Sequence, residues 1–375
     1  MRPSTGGPLK IAIDARALST PYEHRGVGFY VKSLVRGLPA MAPDIEFVFL
    51  TAGESAMGYI PALPNVTFRR LTRTWKRVWL EDMIKLPGEI RASGAHAVHF
   101  PVVLGPLREV NIPWRSPVPV ISTVHDLHVE CLDDPHMEAY RRELRYRVQR
   151  WAVKRTRIVA ISEFTRERIA ENRIMAKDRV AVIPISIRPE AAPPAEKENL
   201  ILFIGDTAHK NTAAALTVFL ALSSRIPGWR FVMVGSRERI YALAGGEAKA
   251  LQAARILQIE ENIPDVIMED LFGKARILFM PSLSEGFGVP VLHAFAHGAC
   301  PVISDCGSLP EVGGDAAVYV NPRDVAEMVS TLEGLCKNPS LRANLLERGA
   351  RRLGRFTWEE HLGRLVQLYR EISAK

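Results

Sequence analysis

The residues best suited to chemistry sit in two segments of the second half. The first reads Pro281-Ser282-Leu283-Ser284-Glu285-Gly286-Phe287-Gly288-Val289-Pro290, and continues through Val291-Leu292-His293 to Gly298. A short apolar run ends at Met280, and an acidic, glycine-bearing turn follows. Pro290 suits the first turn of a helix, where a missing N–H costs nothing. Amide groups at a helix start form an anion site, and glycines let a phosphate approach the backbone. Gly286, Phe287, Gly288 and Val289 are therefore candidate phosphate-side residues. Glu285, just before them, is a candidate acceptor for ligand hydroxyls. The second segment, Gly205-Asp206-Thr207-Ala208-His209-Lys210-Asn211, again lies between an apolar run and a helical pattern. Its Lys210 is suited to a charge-assisted contact with a diphosphate.

The first half offers weaker candidates. Arg25-Gly26-Val27-Gly28-Phe29-Tyr30 opens a helix after the first strand, but the third glycine of a dinucleotide fingerprint is missing. Thr123-Val124-His125-Asp126-Leu127 follows another strand. His125 there can bond a substrate hydroxyl or polarise a reacting group, and Asp126 can orient it. No Asp-x-Asp, no His/Cys cluster with metal-ligand spacing and no G-x-S-x-G elbow occurs, so no metal is expected at the reacting centre.

The elements that must position these residues alternate. Apolar runs at 11–14, 47–50, 97–100, 118–122, 157–161 and 180–183 are separated by helical patterns, including 27–38, 75–90 and an Arg-rich stretch over 137–154. A polar, proline-rich segment follows, and the alternation restarts at Leu200 with further strands near 231–234, 277–280, 301–304 and 317–320. Three helical patterns close the chain. This predicts an α/β protein of two doubly wound, Rossmann-like domains facing a central cleft. The expected boundaries are 1–188, a linker at 189–199, a second domain at 200–355, and a terminal helix at 356–375 crossing back to the first domain.

Composition supports a globular reading. Of 375 residues, 47% are hydrophobic and 24% charged, which excludes disordered and fibrous classes. No apolar run reaches the ~18 residues of a membrane helix, and residues 1–10 lack a signal-peptide core. Cys131, Cys300, Cys306 and Cys336 form no C-x-x-C and read as packed thiols in a reducing compartment. The net charge of +8 is one-sided: residues 1–190 hold 29 Lys/Arg against 20 Asp/Glu, and residues 191–375 hold 20 against 21. Such a field favours an anionic partner, with a phosphorylated substrate or acidic membrane ahead of nucleic acid, for which no motif is present. Trp75-Lys76-Arg77-Val78-Trp79 mixes cations and aromatics as a membrane surface requires.

Taken together, Gly26 to Tyr30, Val124 to Leu127, Ile161-Ser162-Glu163-Phe164-Thr165, Gly205 to Asn211, Glu285 to Gly298 and Ser308-Leu309-Pro310-Glu311-Val312 resemble the retaining family-4 glycosyltransferases of the GT-B fold. The resemblance covers essentially the whole chain. It is strongest to bacterial mannosyltransferases of surface polysaccharide assembly, including that of lipopolysaccharide and exopolysaccharide. It implies a first domain for the acceptor and a second for a nucleotide sugar, GDP- or UDP-linked, with GDP-mannose favoured and no further cofactor. By the same resemblance Lys210 binds the diphosphate, the backbone after Gly288 assists, and Glu285 holds donor-sugar hydroxyls. Gly28 faces the diphosphate, and His125 lies beside the reacting sugar carbon. Three positions depart from the family's pattern. His293 stands where a second Glu grips the nucleotide ribose, His209 where an Arg precedes the lysine, and Ile185 where an Asn is usual. The implied partners are a nucleotide sugar, a glycan or lipid-linked acceptor and an anionic membrane face, but no nucleic acid. The implied location is the cytoplasm, at the inner face of the membrane. Competing readings are a GT-B relative with other chemistry, such as an epimerase, and a non-catalytic partner protein with an impaired donor site.

Overall fold

The computed structural model describes residues 7–20, 22–23, 26–72, 74–104, 110–127, 135–188, 196–244, 246–253 and 255–374. Arg25, Arg73, His128, Cys131 and most of the expected linker lie outside them, as does the side chain of His136. The chain divides into two compact units, Met1–Ile185 with Trp358–Lys375, and Ser186–Thr357.

The first unit is a parallel sheet with strands β1 (Leu9–Asp14), β2 (Ile45–Thr51), β3 (Val66–Arg70), β4 (Ala97–Val103), β5 (Val120–Val124), β6 (Arg157–Ala160) and β7 (Ala181–Val182) in the order 3-2-1-4-5-6-7. Its helices are α1 (Gly26–Met41), α2 (Val78–Ala92), α3 (Pro135–Arg142), α4 (Leu144–Val153) and α5 (Glu163–Glu171). The central strands are mostly apolar because helices cover a parallel sheet and leave it no wet face, the buried polar exceptions on β4 and β5 being His99, Ser122 and Thr123. One core packs Ala12, Val98, Phe100, Val124 and Ile158 of the sheet against Leu86, Ile90, Val153 and Ile169 of the helices. The Arg-rich stretch, expected as one helix, breaks at Glu143, which is extended at ψ 134°. The restart at Leu144 seats Gln149, whose side chain accepts from the Ile112 amide at 2.8 Å and donates to its carbonyl at 3.0 Å.

The second unit repeats the design with strands β8 (Leu200–Ile204), β9 (Arg230–Val234), β10 (Leu257–Glu260), β11 (Ile277–Met280), β12 (Cys300–Ser304) and β13 (Val318–Val320) in the order 10-9-8-11-12-13, all parallel. Its helices are α6 (Thr212–Leu222), α7 (Arg237–Ala244), α8 (Glu247–Ala253), α9 (Asp265–Lys274), α10 (Val289–His297), α11 (Leu309–Gly313), α12 (Val325–Lys337) and α13 (Pro339–Leu353). Phe219 anchors this core, stacking on Phe231 at 4.3 Å with Phe279 tilted at 5.9 Å. Strand order reverses between β8 and β11, and ligands of doubly wound sheets bind beyond the carboxyl ends of the two strands at such a point.

Helix α14 (Trp358–Ser373) belongs to the first unit. Gly37 of α1 gives it room, since a Cβ there would run into the Trp358 ring and Leu362. Tyr369 bonds His99 Nδ1 at 2.7 Å, His99 Nε2 reaches Thr123 at 2.8 Å, and His361 Nδ1 donates to the Pro184 carbonyl at 2.6 Å. Burial pushes His99 down to about 3 and His361 down to about 4 from an ordinary 6.5. Both are neutral in the folded chain, so the unfolded chain binds more protons below pH 6.5. Stability is therefore full above that pH and falls as the solution is acidified toward pH 4. The expected loss is up to about 1.4 kcal/mol per pH unit for each histidine. Urea unfolding at pH 7.5, 6 and 5 checks this, with His99→Phe flattening the dependence; a pH-independent midpoint contradicts it.

Candidate functional site

The two segments singled out in the sequence leave β8 and β11, the pair at the strand-order reversal. After β8 the chain passes Gly205 and Asp206, turns through Ala208–Lys210, and enters α6 by way of Asn211, which is left-handed at φ 61°. Gly205 is required there. A Cβ on it would lie 2.6 Å from Lys210 Cβ and 2.8 Å from Cγ, so the lysine stem runs directly over the backbone. The loop is tied to its neighbour by Leu283 N donating to the His209 carbonyl at 2.7 Å.

Glu285 is held with equal care. Gly307, at φ +66°, presses on its backbone so closely that a Cβ would fall 2.7 Å from the Glu285 carbonyl oxygen. Ser308 donates to that oxygen from its hydroxyl at 3.0 Å and from its amide at 3.2 Å. The carboxylate then meets the ammonium of Lys210 at 2.6 Å. Burial alone pushes the Glu285 carboxyl up, but the charge and hydrogen bond of Lys210 outweigh it and hold the group below the usual carboxylate range. Lys210 remains 22% exposed, so an anionic ligand reaches it without opening the core. Next to the pair, Gly286, Phe287 and Gly288 lead into α10. Gly288 caps that helix at φ 105° with Pro290 in its first turn. A helix start presents amides with no intrahelical partner and a partial positive charge. A cation, a carboxylate acceptor and a helix N-terminus thus converge at the carboxyl ends of two strands, a set suited to a diphosphate joined to a polyhydroxylated group.

His209 flanks the pair, with Nδ1 3.2 Å from Thr207 Oγ1. His293 is engaged elsewhere. Its Nδ1 lies 3.1 Å from Glu269 Oε1 of α9, and its ring stacks on Phe272. Glu269 and His297, which joins them, had no assigned role in the sequence; the expectation that no cluster has metal-ligand spacing passes over the i,i+4 pair His293 and His297, which the structure brings onto Glu269.

In the first unit, His125 follows β5 and its Nε2–H donates to the Pro101 carbonyl at 2.8 Å. That bond leaves Nδ1 as the lone-pair nitrogen, and burial lowers the ring's pKa, so the imidazole is a neutral acceptor. Asp126 beside it is partly exposed. Gly28 has a local reason to be glycine, because a Cβ there would strike the Tyr22 and Glu23 carbonyls. Gly26 opens α1 in free space.

Because Lys210 is what keeps Glu285 ionised, Lys210→Met is expected to raise the Glu285 pKa above its ordinary 4.5. Carboxyl-carbon NMR titration of the two proteins checks this, and an unmoved Glu285 resonance contradicts the pairing.

Comparison with known proteins agrees with the geometry. Residues 24–191 match the model of Glycosyltransferase Family 4, and residues 186–352 that of Glycosyl transferases group 1. The chain is similar to O-antigen chain mannosyltransferase B of Escherichia coli, 24% identical over 93% of this chain and 97% of that one. It is also similar to O-antigen chain mannosyltransferase RfbU of Salmonella typhimurium, 26% identical over 58% of this chain and 61% of that one. Among solved structures it superposes on sucrose-phosphate synthase from Thermosynechococcus elongatus with a TM-score of 0.75 at 18% identity, covering 98% and 99% of the two chains. With two parallel Rossmann-like sheets and family matches running almost continuously from residue 24 to 352, the chain belongs to the family-4 glycosyltransferases of the GT-B fold.

Proposed function

We propose that this enzyme is a retaining transferase that moves a sugar, with mannose favoured, from a nucleoside-diphosphate sugar to a glycan or lipid-linked acceptor. The observation that carries the reading is the 2.6 Å pair between Lys210 and Glu285 beside the start of α10. When the donor binds, the lysine turns its charge to the diphosphate, and Glu285 takes donor-sugar hydroxyls in exchange. The bond from the anomeric carbon to the phosphate oxygen breaks with its electrons going to the diphosphate. Lys210 and the α10 amides stabilise the negative charge that grows there. The acceptor oxygen bonds to the same face of the carbon and passes its proton to the departing phosphate oxygen. His125, neutral and held by Pro101, positions the sugar as an acceptor of a hydroxyl hydrogen bond, with Asp126 alongside.

The 1–188 segment is assigned to the acceptor and 200–355 to the donor. The mannose preference rests on the two mannosyltransferase relatives, and GDP- and UDP-linked donors both fit the site chemistry. No helix among the described residues is long and apolar enough to cross a membrane. The basic charge and the exposed Trp75, Trp114 and Trp151 of the first unit support contact with an anionic membrane at its cytoplasmic face. Arg155 lies 3.3 Å from the centre of the Trp151 ring, a cation–π contact that sets charge beside an exposed aromatic.

Lys210→Ala is expected to cost about 2–4 kcal/mol in kcat/KM, roughly 30- to 1,000-fold. Transfer from radiolabelled GDP-mannose to purified lipid-linked glycan reads this out, and unchanged turnover removes Lys210 from the mechanism. Because charge compensation comes from Lys210 and α10, EDTA is expected to leave the rate intact; a strict divalent-ion requirement contradicts the scheme.

A further inference from the structure

On the face of α10 that carries His293, two imidazoles one turn apart are aimed at a single carboxylate. His293 Nδ1 is 3.1 Å from Glu269 Oε1, and His297 Nε2 is 2.5 Å from Glu269 Oε2. The donor atoms of all three residues fall within 4.8 Å of one another. The two histidine rings are parallel to within 5°, and each lies over Phe272 at an interplanar angle of 20°. The rings are therefore fixed before any ligand arrives, which removes most of the ordering cost of coordination. The three side chains keep 9%, 14% and 10% of their surface, so the cluster is sheltered but not sealed.

We propose that Glu269, His293 and His297 form a zinc-binding site, with the fourth coordination position left to solvent. Two imidazoles and a carboxylate are a borderline donor set that suits zinc and disfavours magnesium or calcium. Zinc–donor bonds of about 2.0–2.2 Å in a tetrahedral shell place donors about 3.3 Å apart. The two histidine–carboxylate spacings, 3.1 and 2.5 Å, widen toward that value on binding, and the imidazole nitrogens, which lie within 4.8 Å of each other, close around the ion. The ion takes the place of the hydrogen between His297 Nε2 and Glu269 and engages His293 Nδ1 beside the other carboxylate oxygen. His293 binds through Nδ1 and His297 through Nε2, with each ring's N–H on its other nitrogen. The ion cross-links α9 to the second half of α10, away from the Lys210–Glu285 pair at that helix's start. Its role is to brace the helix rather than take part in transfer, and the site stands independently of the proposed reaction.

The test uses the full chain, stripped with EDTA, freed of chelator and titrated calorimetrically with zinc chloride. The expected result is one zinc ion per chain and a raised Tm. His297→Ala and Glu269→Gln are expected to weaken binding by roughly 100-fold or more, since even outer partners of a metal ligand are worth 10- to 100-fold. Histidine 15N NMR of the unmutated protein keeps the test decisive if a variant fails to fold. Zinc is expected to shift Nδ1 of His293 and Nε2 of His297. No binding at millimolar zinc, undiminished binding in both folded variants, or shifts confined to other histidines overturns the proposal.

Discussion

The contact on which the second unit depends is the ion pair of Lys210 and Glu285. Two opposite charges are held at 2.6 Å, with the carboxylate almost wholly withdrawn from water. A buried carboxylate is costly unless its partner is fixed, and removing one member of such a pair is far more damaging than replacing both. The loops are accordingly built around it. Gly205 clears a path for the lysine stem, and Gly307 lets the backbone of β12's exit loop close on Glu285. The pair sits where strand order reverses, so helices diverge to either side and leave room for a ligand. The pair also holds the lysine in place while leaving its side chain partly exposed.

A comparable logic operates in the first unit with charges of another kind. At the end of β1, Arg16 is fully buried and bonds both oxygens of Asp14 at 2.7 Å, Asp82 at 2.7 Å and the Asn111 carbonyl at 3.0 Å. This network fixes the strand end from which the chain leads to α1, while the neutral histidines His99, His125 and His361 surround Tyr30 and Thr123. The first unit thus keeps its buried charges at the end of β1 and surrounds His125 with neutral polar groups, whereas the second holds a charged pair at the ends of β8 and β11.

Much of this was legible in the sequence because fully covered parallel strands are continuous apolar runs. The central strands and the closing helices stand close to where the pattern puts them. The strands that escaped notice lack that signature. Val66–Arg70 is a half-exposed edge whose last two residues are arginines, and Leu257–Glu260 is four residues with alternating burial. The Arg-rich helix reads as continuous because its break at Glu143 is fixed by a tertiary contact, the seating of Gln149 on Ile112, that no local pattern records. Lys210 and Glu285 were each visible from turn chemistry, but their pairing spans 75 residues and follows only from the β8–β11 adjacency. The same holds for His293. Its residue type marks a departure from the family's pattern, but its partner Glu269 lies on another helix and is found only in three dimensions.

The most direct test of the central claim is a calorimetric titration of the unmodified and Lys210→Ala proteins, at low salt, with nucleoside diphosphates and their monophosphates. GDP and UDP lead the series, followed by ADP and CMP. If the Lys210–Glu285 pair and the start of α10 form a diphosphate site, one diphosphate binds well above its monophosphate, and Lys210→Ala erases most of that difference. Equal affinity for mono- and diphosphates, or a diphosphate preference that survives the loss of Lys210, contradicts the account.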